Sequence, residues 1–423
     1  MGPDSCALLV VLDGAGDLPN PDLGGKTPLE AASMPNLKAI MSECASGTLY
    51  PIGKGIAPES DAAVMSLLGY DVKKEYTGRG PLEAYGAGIN VGKDSLALRC
   101  NFATVDGNRN IVDRRAGRNV TQEDAKALEG VINRIRVPGA RLTFRATVGH
   151  RGVLLLEPDG APLSGNVSNA DIGYVRSGSL SVATESASTM LPQVEPLDGS
   201  AEAARTAKLL NSLMDSIILA LSNAETNRRR EAEGKLPANV LLMRDAGVGL
   251  PEVDTFEERF GVRSAFIADM PVERGIAKLA GMCELSIEPG LPNGVKYTKM
   301  ADMVNKNYRD FGFMYVHIKG PDEPGHDGDA RRKTQILEEI DRVFFKDIER
   351  LAGKITICVT ADHSTPCIMK GHSADPVPVA IRSTDHAKNK DHTRFSERGV
   401  RAGSLGTIIG GSSGLIKLLL AYR

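Results

Sequence analysis

Residues 7–14 read Ala7-Leu-Leu-Val-Val-Leu12-Asp13-Gly14, a continuous apolar run that stops at an acid and a glycine. A run with no polar side of its own is typical of a β-strand buried on both faces. Phe313–Ile318 and Ile355–Thr360 have a similar pattern, and Val377–Ile381 is predicted to be a fourth such strand. The sequence therefore predicts a buried sheet at the centre of the fold.

Helical patterns separate these strands. They cover Thr27–Ala45, Ala330–Leu351 and Ser404–Leu420. Strands that alternate with helices predict an α/β fold, in which helices cover both faces of a mostly parallel sheet. Polar clusters at Asp13, Lys319–Asp322 and Asp362-His363 follow three of the apolar runs. Because ligands of such sheets bind at the carboxyl ends of the strands, we expect a functional site at this edge.

The middle of the chain, 75–250, has a different pattern. Segments that alternate polar and apolar residues predict strands there, and Ala201–Glu233 predicts a long helical stretch. We interpret 75–250 as a smaller α+β domain inserted into the sheet domain, which then comprises 1–74 and 251–423. The charged run Arg228–Lys235 is interpreted as a solvated helix end and loop.

The composition and net charge limit the kinds of molecule that the protein is expected to bind. The 423-residue chain has a formal net charge of −2, with 42% hydrophobic and 25% charged residues, as in an ordinary globular protein. This balance gives no electrostatic case for nucleic acid or membranes, and no apolar run is long enough to span a bilayer. The six cysteines form no CxxC pair and are interpreted as reduced thiols of a cytoplasmic protein. We expect a small-molecule substrate, and the oligomeric state stays open.

Candidate metal ligands concentrate in the C-terminal half, where three of the chain's seven histidines fall between residues 322 and 372. The cluster comprises Asp322, His326, Asp362, His363 and His372. Carboxylate oxygen together with imidazole nitrogen suits Mn²⁺, Zn²⁺, Co²⁺ or Mg²⁺. Any one of these histidines alone would more often be a loop or capping residue, so the joint pattern carries the interpretation. Five ligands are too many for one open site, and we expect two ions bridged by substrate oxygens.

Asp13 and Ser60 are the N-terminal candidates. Asp13-Gly14 alone would be a common turn, but on the same sheet edge Asp13 becomes a carboxylate for a second ion. A helix is predicted to begin at Ser60 or Asp61, and serine is a favoured N-cap. The same position offers backbone N–H groups to a phosphate, and a metal ion there would activate the serine hydroxyl as a nucleophile. The residues themselves leave both interpretations of Ser60 open.

Several segments stand in the order found in one known family. They are Asp13-Gly-Ala-Gly-Asp17, Pro58-Glu-Ser-Asp61, Leu68-Gly-Tyr-Asp71, Thr77-Gly-Arg-Gly-Pro-Leu-Glu83, Lys319-Gly-Pro-Asp-Glu-Pro-Gly-His-Asp-Gly-Asp329, Thr360-Ala-Asp-His363 and Gly371-His-Ser-x-x-Pro-Val-Pro378. Through them the chain resembles the archaeal-type 2,3-bisphosphoglycerate-independent phosphoglycerate mutases, members of the alkaline phosphatase superfamily. The resemblance extends over nearly the whole chain. It implies a metal-binding, phosphatase-like fold for the sheet domain and a substrate-binding role for the insertion.

The resemblance also implies a role for each ligand position. The implied ligands of one ion are Asp13, Ser60, Asp362 and His363, and those of the other ion are Asp322, His326 and His372. Ser60 is further implied as the nucleophile. Mn²⁺ is the first choice for both ions, with Mg²⁺, Co²⁺ and Zn²⁺ left open, and no added bisphosphoglycerate is required.

Basic residues of the insertion are the candidates for binding substrate, because arginine grips phosphate and carboxylate in bidentate fashion. One group is Arg114, Arg115 and Arg118, which on its own would more often be a solvated turn. The further candidates are Arg79, Arg99, Asn101, His150 and Arg244, together with Lys319 of the sheet domain. Lys319 is expected to bind phosphate or to orient Asp322. Asp113 is the candidate general acid or base.

The implied reaction is that of a glycolytic and gluconeogenic isomerase, which interconverts 3-phosphoglycerate and 2-phosphoglycerate through a phosphoserine. A related metal-dependent phosphomonoesterase or a homoserine-kinase-like phosphotransferase would share the metal site. A non-catalytic metal-binding protein with the same fold is the other alternative. The arginine-rich segment and the large insertion favour the mutase over the two related enzymes, and the intact set of metal ligands argues against the non-catalytic protein.

Overall fold

The computed structural model describes residues 6–178, 180–184, 188–288, 290–411 and 414–423. The chain divides into two compact units. The sheet unit comprises Met1–Glu75 and Val253–Arg423, and the inserted unit comprises Tyr76–Glu252. Among the described residues, none of the helices is both long and apolar enough to cross a lipid bilayer.

The elements are as follows. The strands are β1 (Ala7–Leu12), β2 (Ala45–Tyr50), β3 (Leu96–Val105), β4 (Ile111–Asp113), β5 (Ala140–Ala146), β6 (Arg151–Pro158), β7 (Tyr174–Ser177), β8 (Leu180–Ala183), β9 (Val240–Val248), β10 (Ser264–Ile267), β11 (Cys283–Glu284), β12 (Phe313–Ile318), β13 (Thr356–Thr360), β14 (Val377–Arg382) and β15 (Gly406–Ile409). The α-helices are α1 (Pro28–Ala31), α2 (Pro35–Ile40), α3 (Ser60–Leu67), α4 (Val72–Glu75), α5 (Arg79–Gly86), α6 (Gln122–Ile132), α7 (Ala201–Ser222), α8 (Glu225–Ala232), α9 (Phe256–Phe260), α10 (Pro271–Leu279), α11 (Asn293–Asn307), α12 (Asp322–Asp327), α13 (Ala330–Ile340), α14 (Lys346–Ile348) and α15 (Gly414–Ala421). Short 3-10 turns lie at Pro21–Leu23, Ala116–Arg118, Glu349–Leu351 and His386–Lys388, and Asp341–Phe345 is a π-helical turn.

The sheet unit is built on one eight-stranded sheet of order β11-β10-β12-β1-β13-β14-β2-β15. β1 lies between β12 and β13, runs parallel to both, and is buried along its whole length. β14 is antiparallel to β13 and β2. Residues 361–376, between β13 and β14, contain no helix, whereas a parallel neighbour needs a long crossover connection. The prediction of an α/β fold with a mostly parallel sheet is confirmed.

The predictions of two helices from the sequence are wrong in part. Thr27–Ala45 is broken into α1 and α2, because Pro28 and Pro35 each start a new helix and proline cannot continue one. In Ser404–Leu420 only the end is helical. Its first part contains β15, which pairs parallel to β2, and the β-branched residues of β15 favour a strand.

The inserted unit contains a five-stranded sheet in which β3 pairs antiparallel with β4, β6 and β9. Side chains of a strand alternate between the two faces of its sheet. Leu98, Cys100 and Phe102 lie in the hydrophobic core that α7 also lines. Arg99 and Asn101 therefore belong to the opposite face.

The charged run at Arg228–Lys235 contains a fully buried residue, so its interpretation as a solvated segment is wrong for Arg230. The Arg230 guanidinium donates to Asp124 Oδ2 at 2.8 Å and to the backbone carbonyls of Ala116, Asn119 and Leu236. One partner is a side chain far from Arg230 in the sequence, and the others are backbone carbonyls. A local charge pattern therefore cannot reveal them.

We expect Arg230→Met to lower the free energy of unfolding by roughly 3 kcal/mol, because several buried acceptors lose their donor while Asp124 keeps its pair with Arg229. Urea denaturation measures this loss. The matched control is Arg228→Met on the same helix, where an exposed residue is expected to change stability by no more than about 0.5 kcal/mol. Equal stability of the two variants would contradict the role of Arg230.

Candidate active site

Three neighbouring strands bring the candidate ligands to one edge of the sheet. β12, β1 and β13 are adjacent and parallel, so their carboxyl ends meet. Asp13 directly follows β1, Lys319 directly follows β12, and Asp362 comes shortly after β13. Residues separated by hundreds of positions in the chain thus come within a few ångströms of each other.

His363 is the centre of the first ligand group. Its Nε2 lies 3.1 Å from Ser60 Oγ, 3.5 Å from Asp13 Oδ1 and 3.4 Å from Asp362 Oδ2. Asp362 Oδ1 accepts hydrogen bonds from the backbone N–H groups of Gly14 and His363, which leaves Oδ2 directed at the group. Asp13 Oδ1 is buried and has no hydrogen-bond partner. An orphaned buried carboxylate oxygen beside an imidazole nitrogen is what a cation site requires.

The second ligand group forms around Asp322, the first residue of α12. Its Oδ1 lies 3.5 Å from both His326 Nε2 and His372 Nε2. Asp322 and His326 share one face because residues four apart are neighbours on a helix. Both histidines face backbone carbonyls through Nδ1, His372 at 2.9 Å from Pro58 O and His326 at 3.2 Å from Lys370 O. An Nδ1–H that donates to a carbonyl leaves Nε2 with its lone pair available for a metal ion.

The donor set of these groups fits divalent metal ions. Ligand atoms of Asp322, His363 and His372 lie within 4.8 Å of one another. The rings of His363 and His372 stack with centroids 3.9 Å apart, which joins the two groups into one centre. Carboxylate oxygens with imidazole nitrogens suit borderline and hard divalent cations.

Ser60 is the first residue of α3, and Glu59 holds the N-cap position. The interpretation of Ser60 as the N-cap is therefore wrong, and its hydroxyl contacts His363 instead. The side chain is largely buried. As the first residue of an eight-residue helix, Ser60 stands where backbone N–H groups and the helix dipole favour an anion.

Lys319 lies among carboxylates. Its Nζ is 2.8 Å from Asp13 Oδ2 and 3.0 Å from Glu273 Oε1, so it neutralises Asp13 and does not contact Asp322 through any described ion pair. Glu273, on α10, is completely buried. His317, on β12, is buried as well, with Nε2 at 3.4 Å from Asp362 Oδ2 and Nδ1 at 4.0 Å from Glu273 Oε1. A layer of charged side chains thus lies directly behind the first ligand group.

Burial and neighbouring charges shift the protonation of these groups in opposite directions. Burial raises the pKa of Asp13, and Lys319 opposes that shift. Burial disfavours the charge of Lys319, but Asp13 and Glu273 outweigh it and raise the Lys319 pKa. Burial likewise lowers the pKa of His372, but Glu59 and Asp322 outweigh it and raise that pKa to about 10. Buried carboxylates that attract positive charge so strongly have the electrostatics of a cation site.

The inserted unit gathers arginines on one face of its sheet. Arg99 of β3 and Arg244 of β9 are paired across the strands, and Arg79 belongs to α5. Glu83 Oε2 lies 2.9 Å from Arg79 Nε and 3.6 Å from Arg99 Nε. Burial, followed by the charges of Arg244 and Arg79, lowers the pKa of Arg99 to about 10. Arg99 Nε makes no hydrogen bond among the described residues, although it lies within ion-pair distance of Glu83 Oε2.

The segment from Asp113 to Arg118 forms a tight loop. Asp113 Oδ1 accepts from the backbone N–H groups of Arg115 and Gly117. Ala116 and Arg118 both have positive φ, at 46° and 54°, which is strained for residues other than glycine. Arg114 is paired with Asp171 at 2.6 Å, and its guanidinium lies 5.5 Å from the Tyr174 ring centroid. Asp113 thus shapes the loop that presents the arginines, and its role as acid or base stays a prediction.

The charge of Arg151 acts on both groups of arginines, and the candidates predicted from the sequence do not include this residue. Arg151 pairs with Asn101 across β3 and β6, and its charge acts on Arg99 and on Arg115. Burial, then Arg151 and Arg115, lowers the pKa of His150 to about 3, so this imidazole is neutral. No local pattern marks Arg151, because a continuous apolar run follows it, and only the register of β6 on β3 places it opposite Asn101.

An α/β fold with this edge of carboxylates and imidazoles defines a class of proteins that hold divalent metal ions at the carboxyl ends of a mostly parallel sheet. Comparison with known proteins narrows the class. Residues 42–227 match the family model described as 2,3-bisphosphoglycerate-independent phosphoglycerate mutase. The chain is 41% identical to the enzyme of that name from Aeropyrum pernix, over 96% of both chains. It is 36% identical to such a mutase from Methanocaldococcus jannaschii, over 98% of this chain and 96% of the other.

Solved structures agree with this result. A cofactor-independent phosphoglycerate mutase from Thermoplasma acidophilum superposes with a TM-score of 0.62 at 28% identity, over 99% of both chains. A protein from Pyrococcus horikoshii superposes with a TM-score of 0.75 at 27% identity, over 99% of this chain and 98% of the other. The chain belongs to the 2,3-bisphosphoglycerate-independent phosphoglycerate mutase family. The family predicted from the sequence motifs is confirmed.

Proposed function

We propose that this chain interconverts 3-phosphoglycerate and 2-phosphoglycerate, with Ser60 carrying the phosphoryl group in between. The observation that supports this most directly is the position of Ser60 Oγ, 3.1 Å from His363 Nε2 and inside the first ligand group. Asp13, Ser60, Asp362 and His363 would hold one divalent ion. The ligands of a second ion would be Asp322, His326 and His372.

In this proposal the Ser60 hydroxyl loses its proton as Oγ forms a bond to the substrate phosphorus, and the ester oxygen of glycerate leaves and takes up a proton. Glycerate then turns, its other hydroxyl loses its proton as it attacks the phosphoserine, and Ser60 Oγ leaves and takes up a proton. Bound divalent ions, with Mn²⁺ as the first choice, would supply the positive charge that activates the serine hydroxyl and stabilises the phosphoryl oxygens. Asp113 is the proposed carrier of the glycerate hydroxyl proton.

The arginines would bind the anionic groups of the substrate. Arg99 supports this role best, because it is buried and its Nε makes no hydrogen bond among the described residues. Its cationic neighbours Arg244 and Arg79 are electrostatically unfavourable, and a bound anion would relieve that repulsion. The other proposed contacts are Arg79, Arg114, Arg115, Arg118 and Arg244, together with Lys319. We further propose a cytoplasmic location, which the free thiols of the described cysteines support.

A coupled assay tests the reaction. 3-Phosphoglycerate is supplied with Mn²⁺ and no bisphosphoglycerate, and 2-phosphoglycerate and free phosphate are both measured. We expect 2-phosphoglycerate to accumulate with little free phosphate. Rapid release of phosphate without 2-phosphoglycerate would instead identify a phosphomonoesterase. Transfer to homoserine in place of glycerate would identify a kinase-like relative.

We expect Arg99→Met to lower kcat/KM for phosphoglycerate by about 10- to 100-fold, since a hydrogen bond to a charged group contributes roughly 1.5–3 kcal/mol. The matched control is Arg141→Met in the same unit. Arg141 is exposed and pairs only with Glu157 among the ion pairs of the described residues, so its replacement should leave kcat/KM unchanged. If both variants behave alike, the arginine cluster does not bind substrate.

A further inference from the structure

Thr365 lies two residues after His363 and is fully buried. Its Oγ1 is 3.0 Å from His363 Nδ1 and 2.7 Å from Asp322 Oδ1. These two partners belong to different ligand groups and to different strand ends. One hydroxyl therefore contacts both halves of the candidate metal centre.

The chemistry of the partners fixes the direction of each hydrogen bond. A carboxylate oxygen is an acceptor, so the Thr365 O–H donates to Asp322 Oδ1. The Thr365 oxygen is then an acceptor for His363 Nδ1–H. With its proton on Nδ1, His363 presents an unprotonated Nε2 to Ser60 and Asp13.

The backbone holds Thr365 in this position. Its N–H donates to Gly16 O at 3.0 Å, and its carbonyl accepts from Lys333 Nζ at 2.9 Å. Glycines also leave the necessary room. A Cβ on Gly14 would come within 2.7 Å of Thr365 Oγ1, and a Cβ on Gly325 within 2.8 Å of Thr365 Cγ2. The loop that carries Asp13 and the helix α12 that carries His326 therefore both pack closely around this one residue.

We propose that Thr365 is a positioning residue that couples the two ion sites, by fixing the tautomer of His363 and the orientation of Asp322 through one hydroxyl. The inference rests on the metal centre of the proposed function and adds a residue to it. Groups that orient metal ligands commonly change metal affinity by about 10- to 100-fold when they are removed. Because Thr365 serves one ligand of each ion, we expect its hydroxyl to affect the binding of both.

The test compares Thr365→Val, which keeps the shape and removes the hydroxyl, with Thr365→Ser, which keeps the hydroxyl. Metal-free proteins are titrated with Mn²⁺ and with Co²⁺ by calorimetry, and the visible spectrum of the Co²⁺ form is recorded. We expect Thr365→Val to bind both ions about 10- to 100-fold more weakly, with an altered Co²⁺ spectrum. We expect Thr365→Ser to restore the affinities and the spectrum. Wild-type affinities and spectrum in Thr365→Val would overturn the inference.

A second measurement uses the unaltered chain and does not depend on whether Thr365→Val folds. Nitrogen NMR of the metal-free protein reports which ring nitrogen of His363 carries the proton. We expect Nδ1–H, and a proton on Nε2 would overturn the inference. The two proposals fail separately, because a wild-type chain that binds metal but makes no 2-phosphoglycerate contradicts only the mutase activity. A wild-type chain that binds neither ion overturns both.

Discussion

Ser60→Ala is expected to reduce the interconversion of phosphoglycerates by on the order of 10⁵-fold, as when the nucleophile of a covalent mechanism is removed. Ser60 is the serine whose hydroxyl contacts the ligand group through His363 Nε2. Without it the phosphoryl group has no acceptor in the proposed sequence. Steady-state assays measure the loss. Mass spectrometry of the wild-type chain after brief incubation with substrate should find phosphate on the peptide that contains Ser60.

The matched control for this prediction is Ser66→Ala, on the same helix. Ser66 is buried, donates to Pro51 O, and accepts from Gly411 N–H at 2.7 Å, so its hydroxyl has structural partners only. We expect a loss of stability of about 1 kcal/mol with turnover preserved. Wild-type turnover in Ser60→Ala would refute the phosphoserine proposal. A similar fall in both variants would point to disruption of α3.

The second large effect concerns stability. Lys319→Met should lower the free energy of unfolding of the metal-free protein by about 3–5 kcal/mol, because Asp13 and Glu273 then share a buried environment without their common cation. Adding Glu273→Gln removes one of the two stranded charges. The double variant should therefore be more stable than the sum of the single effects predicts.

Denaturation of the wild type, both single variants and the double variant gives this coupling free energy directly. A coupling near zero would mean that the ion pair between Lys319 and Glu273 contributes nothing to folding. Addition of Mn²⁺ provides a further check. If Asp13 is a ligand, the ion should recover part of the stability lost in Lys319→Met, since a ligand that binds only the folded state stabilises it.

Much of the candidate metal centre can be predicted from local sequence. Asp13 and Asp362 stand at the ends of apolar runs, and such runs reliably become buried parallel strands whose ends meet. His317 is not predicted as a site residue, because it lies within the apolar run of β12 and its sequence position indicates only a strand. Nothing near Glu273 in the sequence signals a role. Thr365 lies two residues after His363, but its contact with Asp322 comes from a distant segment and is not visible in the sequence.

The errors in the fold have similar causes. The pattern of Ser404–Leu420 predicts one helix, but pairing with β2 at the sheet edge makes Gly406–Ile409 a strand. Arg230 reads as one more charge in a polar run, and only the fold brings Asp124 and three carbonyls to it. Sequence patterns report local preference and burial. They do not report which tertiary partner fills a given position.

The hydrogen bond from His372 to the carbonyl of Pro58 has a consequence for how metal occupancy is transmitted. Pro58 lies two residues before Ser60, so a proposed ligand of one ion contacts the main chain that carries the proposed nucleophile. The hydrogen bond uses the backbone oxygen of Pro58 and does not depend on the side chain of residue 58. In the proposed two-ion site, binding of the ion and placement of Ser60 are therefore expected to be linked thermodynamically, so a chelator should speed amide exchange at the start of α3.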